Sequence, residues 1–97
     1  MPAGWIYIMT NRRNGTLYVG VTSDIRRRGV AQHKEGLIDG FTKHYGLHCL
    51  VYAARHENML AAIQREKNIK HWPRGWKVRL IHRDNPEWND LFADLPY

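Results

Sequence analysis

The sequence has few of the features that mark secreted, zinc-binding or membrane-spanning proteins. Its 97 residues include one cysteine, Cys49, so an internal disulfide is impossible and a reducing compartment is expected. A single cysteine also excludes the C-x-x-C pairs of structural zinc sites. The apolar run from Trp5 to Met9 is far shorter than the ~20 residues that span a bilayer. We therefore expect a soluble, cytoplasmic protein.

Acidic residues are in the minority, with 9 Asp and Glu against 15 Lys and Arg. The net charge is +6 and the sequence pI is about 9.8. This excess favours a polyanionic partner but does not choose between nucleic acid and an anionic membrane surface. The length allows one modest core, so we expect a single domain over residues 1–97 that is a monomer or a weak dimer.

Two apolar segments, residues 5–9 and 17–21, flank a polar stretch and predict a β-hairpin whose first strand is covered on both faces. The connecting loop, either residues 14–15 or residues 11–14, has an even length. Such a loop pairs odd positions of the first strand with even positions of the second. One face of the hairpin is then expected to carry Tyr7, Tyr18, Gly20 and Thr22.

These two tyrosines have two interpretations. Aromatic side chains on strands usually pack into a core, where their rings bury a large apolar area. Two hydroxyl groups that converge beside a glycine can equally border a substrate pocket. The pattern alone leaves both interpretations open.

Helix signals follow the hairpin. Polar N-cap candidates at residues 22–24 precede a basic helical segment that ends before Gly36. Asn58 is expected to cap a second helix that runs to about His71 and is stopped by Pro73. The remaining predicted elements are a loop over residues 35–46 with a helical turn near 41–43, a third strand over residues 47–54, and a further helix with a packed segment over residues 74–97.

Glu66 interrupts the apolar stripe of the second helix, which Met59, Ala62, Ile63 and Ile69 form at helical spacing. A carboxylate in that position is desolvated unless a cation accompanies it. The cation is either Lys70, one turn further on, or a bound metal ion.

Three successive arginines, Arg26, Arg27 and Arg28, stand on the basic helix. They are either a solvated face or a ligand set, but successive positions on a helix point in widely different directions. At least one of them is therefore expected to face the sheet.

These residues resemble the GIY-YIG nuclease superfamily, in particular its small single-domain bacterial group with the URI-type endonuclease domain. Trp5-Ile6-Tyr7 and Tyr18-Val19-Gly20 stand where the family has its two tripeptides. Residues 22–28 look like its T-x-D-hydrophobic-x-x-R segment, and residues 65–70 look like its glutamate helix. Residues 40–47 and 85–91 are similar to the small bacterial group, so the resemblance covers essentially the whole chain.

The resemblance implies an α+β fold, with a three-stranded antiparallel sheet flanked by helices, and cleavage of DNA with one divalent cation, Mg²⁺ or Mn²⁺. Tyr7 and Tyr18 would border the scissile phosphate, Arg28 would hold its oxygens and Glu66 would bind the metal. A magnesium site needs only one or two carboxylates plus substrate oxygens. The expected DNA contacts come from Gly20, Arg26, Arg27, Lys43 and Asn89, the last as a match to the family's late asparagine.

Two positions depart from the family pattern. Trp5 replaces the first glycine, which is expected to affect packing more than chemistry. The family's histidine stands four residues after the arginine, whereas here Gln32 has that place and His33 follows one residue later. A helix bulge near Gly29 would restore His33 as a catalytic residue.

Two functions follow as hypotheses. The first is a metal-dependent endonuclease that hydrolyses DNA phosphodiester bonds in duplex, branched or single-stranded DNA, with no membrane partner. The second is a nucleic-acid-binding module that keeps the fold and the basic face but lost turnover through the altered arginine helix. The feature that distinguishes the two hypotheses is whether Glu66 and Arg28 converge on a space that could hold a phosphate and a metal ion.

Overall fold

The computed structural model describes residues 3–27 and 49–94, which form a three-stranded antiparallel sheet with helices. The three-stranded antiparallel sheet is the one that the resemblance implies, and its strand order is β2-β1-β3. No helix in these two ranges is long and apolar enough to cross a membrane. The elements are β1 (Gly4–Thr10), β2 (Leu17–Thr22), β3 (Cys49–His56), α1 (Met59–His71), α2 (Arg74–Asp84) and a 3-10 helix (Leu91–Asp94).

The central strand β1 is buried on both of its faces, as predicted. Ile6 and Ile8 pack with the inward sides of α1 and α2, so we call this side of the sheet the helix face. Tyr7 and Met9 point the other way, into a second cluster that includes Ile25, and we call that side the tyrosine face. Alternation along one strand thus divides the core into two parts.

The pairing of the hairpin confirms the predicted parity. Tyr7 lies opposite Gly20, and Met9 lies opposite Tyr18, so odd positions of β1 pair with even positions of β2. Tyr7, Tyr18 and Gly20 therefore share the tyrosine face, as the sequence pattern predicted.

Both predicted loop lengths are wrong, because the connection consists of residues 11–16. The Asn11 side chain accepts a hydrogen bond from the Thr16 amide at 3.0 Å. Arg74, at the start of α2, donates to the carbonyl oxygens of Asn14-Gly15 at 2.8 and 2.7 Å. The longer loop is thus stabilised by a residue some 60 positions away, which local turn signals do not reveal.

The predicted boundaries of α1 are confirmed. The Asn58 side chain caps the helix by accepting hydrogen bonds from the amides of Leu60 at 2.8 Å and Ala61 at 3.4 Å. The helix ends at His71, before Pro73. A proline cannot supply the amide that a continuing helix needs.

Other predicted boundaries are corrected or lie beyond the described ranges. Strand β3 continues past the expected end at Ala54, because Arg55 and His56 still pair with the start of β1. Residues 25–27 are helical, as expected. The rest of the basic segment, the 35–46 loop and the predicted start of the third strand lie outside the described residues.

A buried asparagine attaches the segment after α2 to the sheet. Asn85 is 4% exposed, and its amide nitrogen donates to the carbonyl oxygens of Val51 at 3.1 Å and Asn89 at 2.9 Å. Its amide oxygen accepts from the Asn89 backbone at 3.1 Å. One side chain thereby satisfies three backbone groups, two of which belong to the turn that carries Trp88.

Asn85→Ala should lower the free energy of unfolding by about 1–3 kcal/mol, because it leaves buried backbone groups without partners. Asn89→Ala is the matched control, since Asn89 takes part through its backbone and its side chain is exposed. Urea denaturation of both variants measures the difference. Equal stabilities for the two would show that the Asn85 hydrogen bonds contribute nothing.

Candidate active site

Tyr7 and Gly20 pack closely against each other on the tyrosine face. The Tyr7 ring is buried and lies directly across Gly20 on the neighbouring strand. A Cβ atom added to Gly20 would collide with Cζ and the hydroxyl oxygen of Tyr7, and would lie 2.9 Å from Cε2. The absence of a side chain at Gly20 is therefore what allows the tyrosine to adopt this position.

Tyr18 stands beside Tyr7 on the same face. The two ring centroids are 6.2 Å apart, with planes inclined by 43°. This is within the range of favourable aromatic pairs. Trp5 and Tyr18 are both half-buried against the same cluster as Tyr7. Trp5 thus contributes to packing, as expected from its place in the first tripeptide.

The start of the arginine helix joins this face through Ile25, which is buried against Tyr7 and its neighbours. Asp24 caps the helix, because its carboxylate accepts a hydrogen bond from the Arg27 amide at 3.0 Å. Arg26 and Arg27 are exposed. The predicted site residues Arg28, His33 and Lys43 lie outside the described residues.

Glu66 lies on α1 between the buried residues Ala62 and Ile69, and it is itself 8% exposed. Its carboxylate oxygen Oε2 lies 3.0 Å from Nζ of Lys70, so the predicted salt bridge is present. Because α1 packs on the helix face, Glu66 is on the opposite side of the sheet from Tyr7 and Tyr18. The described contacts bring the tyrosines and Gly20 together but do not bring Glu66 to them.

Comparison with known proteins decides the family. Residues 3–79 match the model of the GIY-YIG catalytic domain. The chain belongs to the GIY-YIG family. A UPF0213 protein of Natronomonas pharaonis is 35% identical over 77 residues, which make up 79% of this chain and 88% of the relative. A UPF0213 protein of Staphylococcus aureus is 35% identical over 81 residues, or 84% of this chain and 96% of the relative.

A solved structure shares the fold of this GIY-YIG chain. The solution NMR structure of a UPF0213 protein from Bacillus halodurans matches with a TM-score of 0.57 and 25% sequence identity. The match covers 91% of this chain and 92% of the other. The GIY-YIG domain implies a nuclease-like fold and, in general, a nucleic-acid substrate.

Asn89, which the resemblance gave as a match to the family's late asparagine, lies four residues after the buried Asn85. Asn89, chosen from the sequence, is exposed and is held through its backbone by Asn85. Asn85 was not singled out, although it directly precedes Pro86 at the end of α2. Its place at the end of a helix, directly before a proline, is a sequence signal for a capping side chain. Its hydrogen bond to Val51 could not be predicted, because Val51 is distant in sequence.

Gly20→Ala should lower the free energy of unfolding by about 1–3 kcal/mol, the usual cost of overpacking, because the methyl group and the Tyr7 ring need the same space. Gly75→Ala is the control. An added Cβ at Gly75 meets nothing within 4 Å, so that variant should gain up to about 1 kcal/mol. Chemical denaturation measures both changes, and a neutral Gly20→Ala would contradict the close packing.

Proposed function

We propose that this GIY-YIG domain is a metal-dependent endonuclease that hydrolyses DNA phosphodiester bonds. The observation that supports the proposal most is the tyrosine pair on one sheet face, with Tyr7 seated across Gly20 beside the capped start of the arginine helix. The family match and the excess of basic residues point in the same direction.

In the proposed reaction a water molecule attacks the phosphorus, the bond from phosphorus to the leaving oxygen breaks, and the water's proton passes to a base. Tyr7 and Tyr18 border the scissile phosphate, and one of them assists that proton transfer. Arg28 stabilises the charge that develops on the phosphate oxygens, and His33 is the further catalytic candidate. Gly20, Arg26, Arg27, Lys43 and Asn89 are assigned to DNA contacts.

GIY-YIG nucleases typically use divalent metals, and Glu66 is the residue proposed to hold one here. Within residues 3–27 and 49–94 there is no group of three or more His, Cys, Asp or Glu side chains that could hold a metal. A single carboxylate nevertheless suits Mg²⁺ or Mn²⁺, since magnesium retains water and takes substrate phosphate oxygens as ligands. When bound, the ion supplies charge stabilisation to the phosphate and the leaving oxygen.

Glu66 and the tyrosines lie on opposite faces of the sheet, so a site that uses both must lie at an edge of the sheet. Strand β2 carries Tyr18 and Gly20 and is an edge strand. Helix α1 packs against both β1 and β2 from the other side. We place the scissile phosphate at this edge, because groups from both faces of the sheet approach one another only where the sheet ends.

The Glu66–Lys70 salt bridge also favours a second function. A carboxylate that already has a cation is satisfied without a metal. In the arginine helix, His33 follows Arg28 by five residues instead of the family's four. Together with the salt bridge, this spacing supports a nucleic-acid-binding module without turnover. The endonuclease predicts metal-dependent cleavage by the parent protein, whereas the binding module predicts DNA binding without cleavage.

Glu66→Gln should lower metal-dependent DNA cleavage by about 100-fold or more, since even the loss of an outer partner at a metal site costs about 10- to 100-fold. The amide keeps the size of the side chain but removes its charge. Plasmid nicking and cleavage of single-stranded DNA, with Mg²⁺ or Mn²⁺ and with EDTA, measure the effect.

Lys70→Gln is the matched variant, because it breaks the same salt bridge and leaves the carboxylate. It should retain cleavage and require less metal, since the competing cation is gone. If the two variants lose activity equally, the salt bridge and not metal binding is the role of Glu66. A parent protein that binds DNA but never cuts it supports the binding module.

Arg28→Ala should reduce single-turnover cleavage by about 100-fold or more while much of the DNA affinity remains, because a cation that serves the transition state lowers the barrier selectively. Arg26→Ala and Arg27→Ala should mainly weaken binding. Single-turnover rates and DNA dissociation constants for the three variants test this assignment. A dead Arg27→Ala beside an active Arg28→Ala would show that the helix register is shifted.

A further inference from the structure

A groove lined by arginine and tryptophan lies between α1 and α2, away from the tyrosine face. Its volume is about 450 Å³. Its lining contains three cations and two indole rings but no acidic side chain. The residues are Arg65, Trp72, Trp76, Arg79, Leu80 and Arg83, and we call this surface the basic groove.

The indole rings in the basic groove are held at different depths. Trp72 is half-buried, with the Arg65 guanidinium 4.8 Å from its ring centroid. Trp76 meets Trp72 edge-on, with centroids 5.9 Å apart. Trp76 is 52% exposed, which is unusual for so large an apolar side chain in a folded protein. Its ring is therefore available for contact with a partner.

The cations of the basic groove are also available. Arg79 is exposed and makes no ion pair with any residue in the described parts of the chain. Arg83 lies near the buried Tyr52 and forms a salt bridge with Asp84 at 3.3 Å. Burial raises the pKa of Tyr52 despite the nearby arginines, so its hydroxyl stays protonated and neutral. The charge of Arg79 is thus left for an anion, and the Arg83–Asp84 pair is exposed, so an anion can reach Arg83 as well.

We infer that the basic groove binds an unpaired segment of DNA, with a base stacked on Trp76 and the neighbouring phosphates on Arg79 and Arg83. The arginines favour an anionic occupant and the exposed indole favours a flat apolar one, a combination that nucleotides offer. Bases within a duplex are already stacked on one another and cannot cover Trp76. A single strand exposes the ring faces of its bases, and aromatic side chains bind them with little dependence on sequence.

The lining of the basic groove includes none of the residues proposed for catalysis, so its function can be tested without cleavage. Fluorescence anisotropy of a labelled oligo(dT) strand, with the full chain in EDTA, measures affinity while metal-dependent cutting is blocked. Stacking contributes about 1–3 kcal/mol per base, so Trp76→Ala should weaken binding roughly 5- to 150-fold. Trp76→Phe should retain most of the affinity, because it keeps a ring.

The charge contribution has its own matched pair of variants. Arg79→Gln should reduce the slope of log affinity against log salt by about 0.7, the value for one phosphate contact to a single strand. Lys67→Gln removes the same charge from an exposed position about 200° around α1 from Arg65, so it should leave the slope unchanged. Circular dichroism and urea denaturation establish that each variant is folded.

Two results would overturn the inference. The first is a folded Trp76→Ala that binds oligo(dT) as tightly as the parent. The second is a duplex of equal length that loses as much affinity as the single strand when Trp76 is replaced, which would exclude recognition of unpaired bases. A protein that binds oligo(dT) through Trp76 but cuts no DNA would instead refute the endonuclease proposal and support the groove.

Discussion

Strand β1 lies between two other strands and is covered on both faces, so none of its middle side chains reaches solvent. Ile6 and Ile8 anchor α1 and α2 on one side, whereas Tyr7 and Met9 anchor the start of the arginine helix on the other. A shift of one residue in its pairing would turn Ile6 and Ile8 to the tyrosine face and Tyr7 and Met9 to the helix face, so both clusters would lose their packing partners. The position of every candidate functional group therefore depends on the register of this strand.

The same register places the candidate groups on two different surfaces. Tyr7 and Tyr18 lie on one face because odd positions of β1 pair with even positions of β2, and Glu66 lies on the other because α1 packs against Ile6 and Ile8. This separation does not prevent the proposed reaction, because the sheet has only three strands and β2 lies directly beside the central strand β1. The proposed reaction is assigned to the β2 edge, because a site that uses groups from both faces must lie where the sheet ends.

Features set by local chemistry could be predicted from the sequence, and features set by distant contacts could not. Alternation of side chains gave the tyrosine face, and the Asn58 side chain marked the start of α1. The hairpin loop was misjudged because Arg74 stabilises it from another element. The basic groove was also missed, because Arg65 and Arg79 belong to different helices and become neighbours only when both helices pack on the sheet.

The Glu66–Lys70 salt bridge matters both for the fold and for the proposed chemistry, because a buried carboxylate needs a positive charge beside it. Glu66 is largely removed from water, so its carboxylate needs a cation in every state of the protein. Lys70 serves in the free protein, and its side chain is 45% exposed, so its ammonium group remains in contact with water. If Glu66 held a divalent ion, the ion would replace Lys70 as the partner of the carboxylate, and the exposed Lys70 side chain would remain in water. A divalent ion would supply two positive charges where Lys70 supplies one, so the carboxylate would keep a counter-charge, and the same residue would stabilise the free fold and serve the reaction.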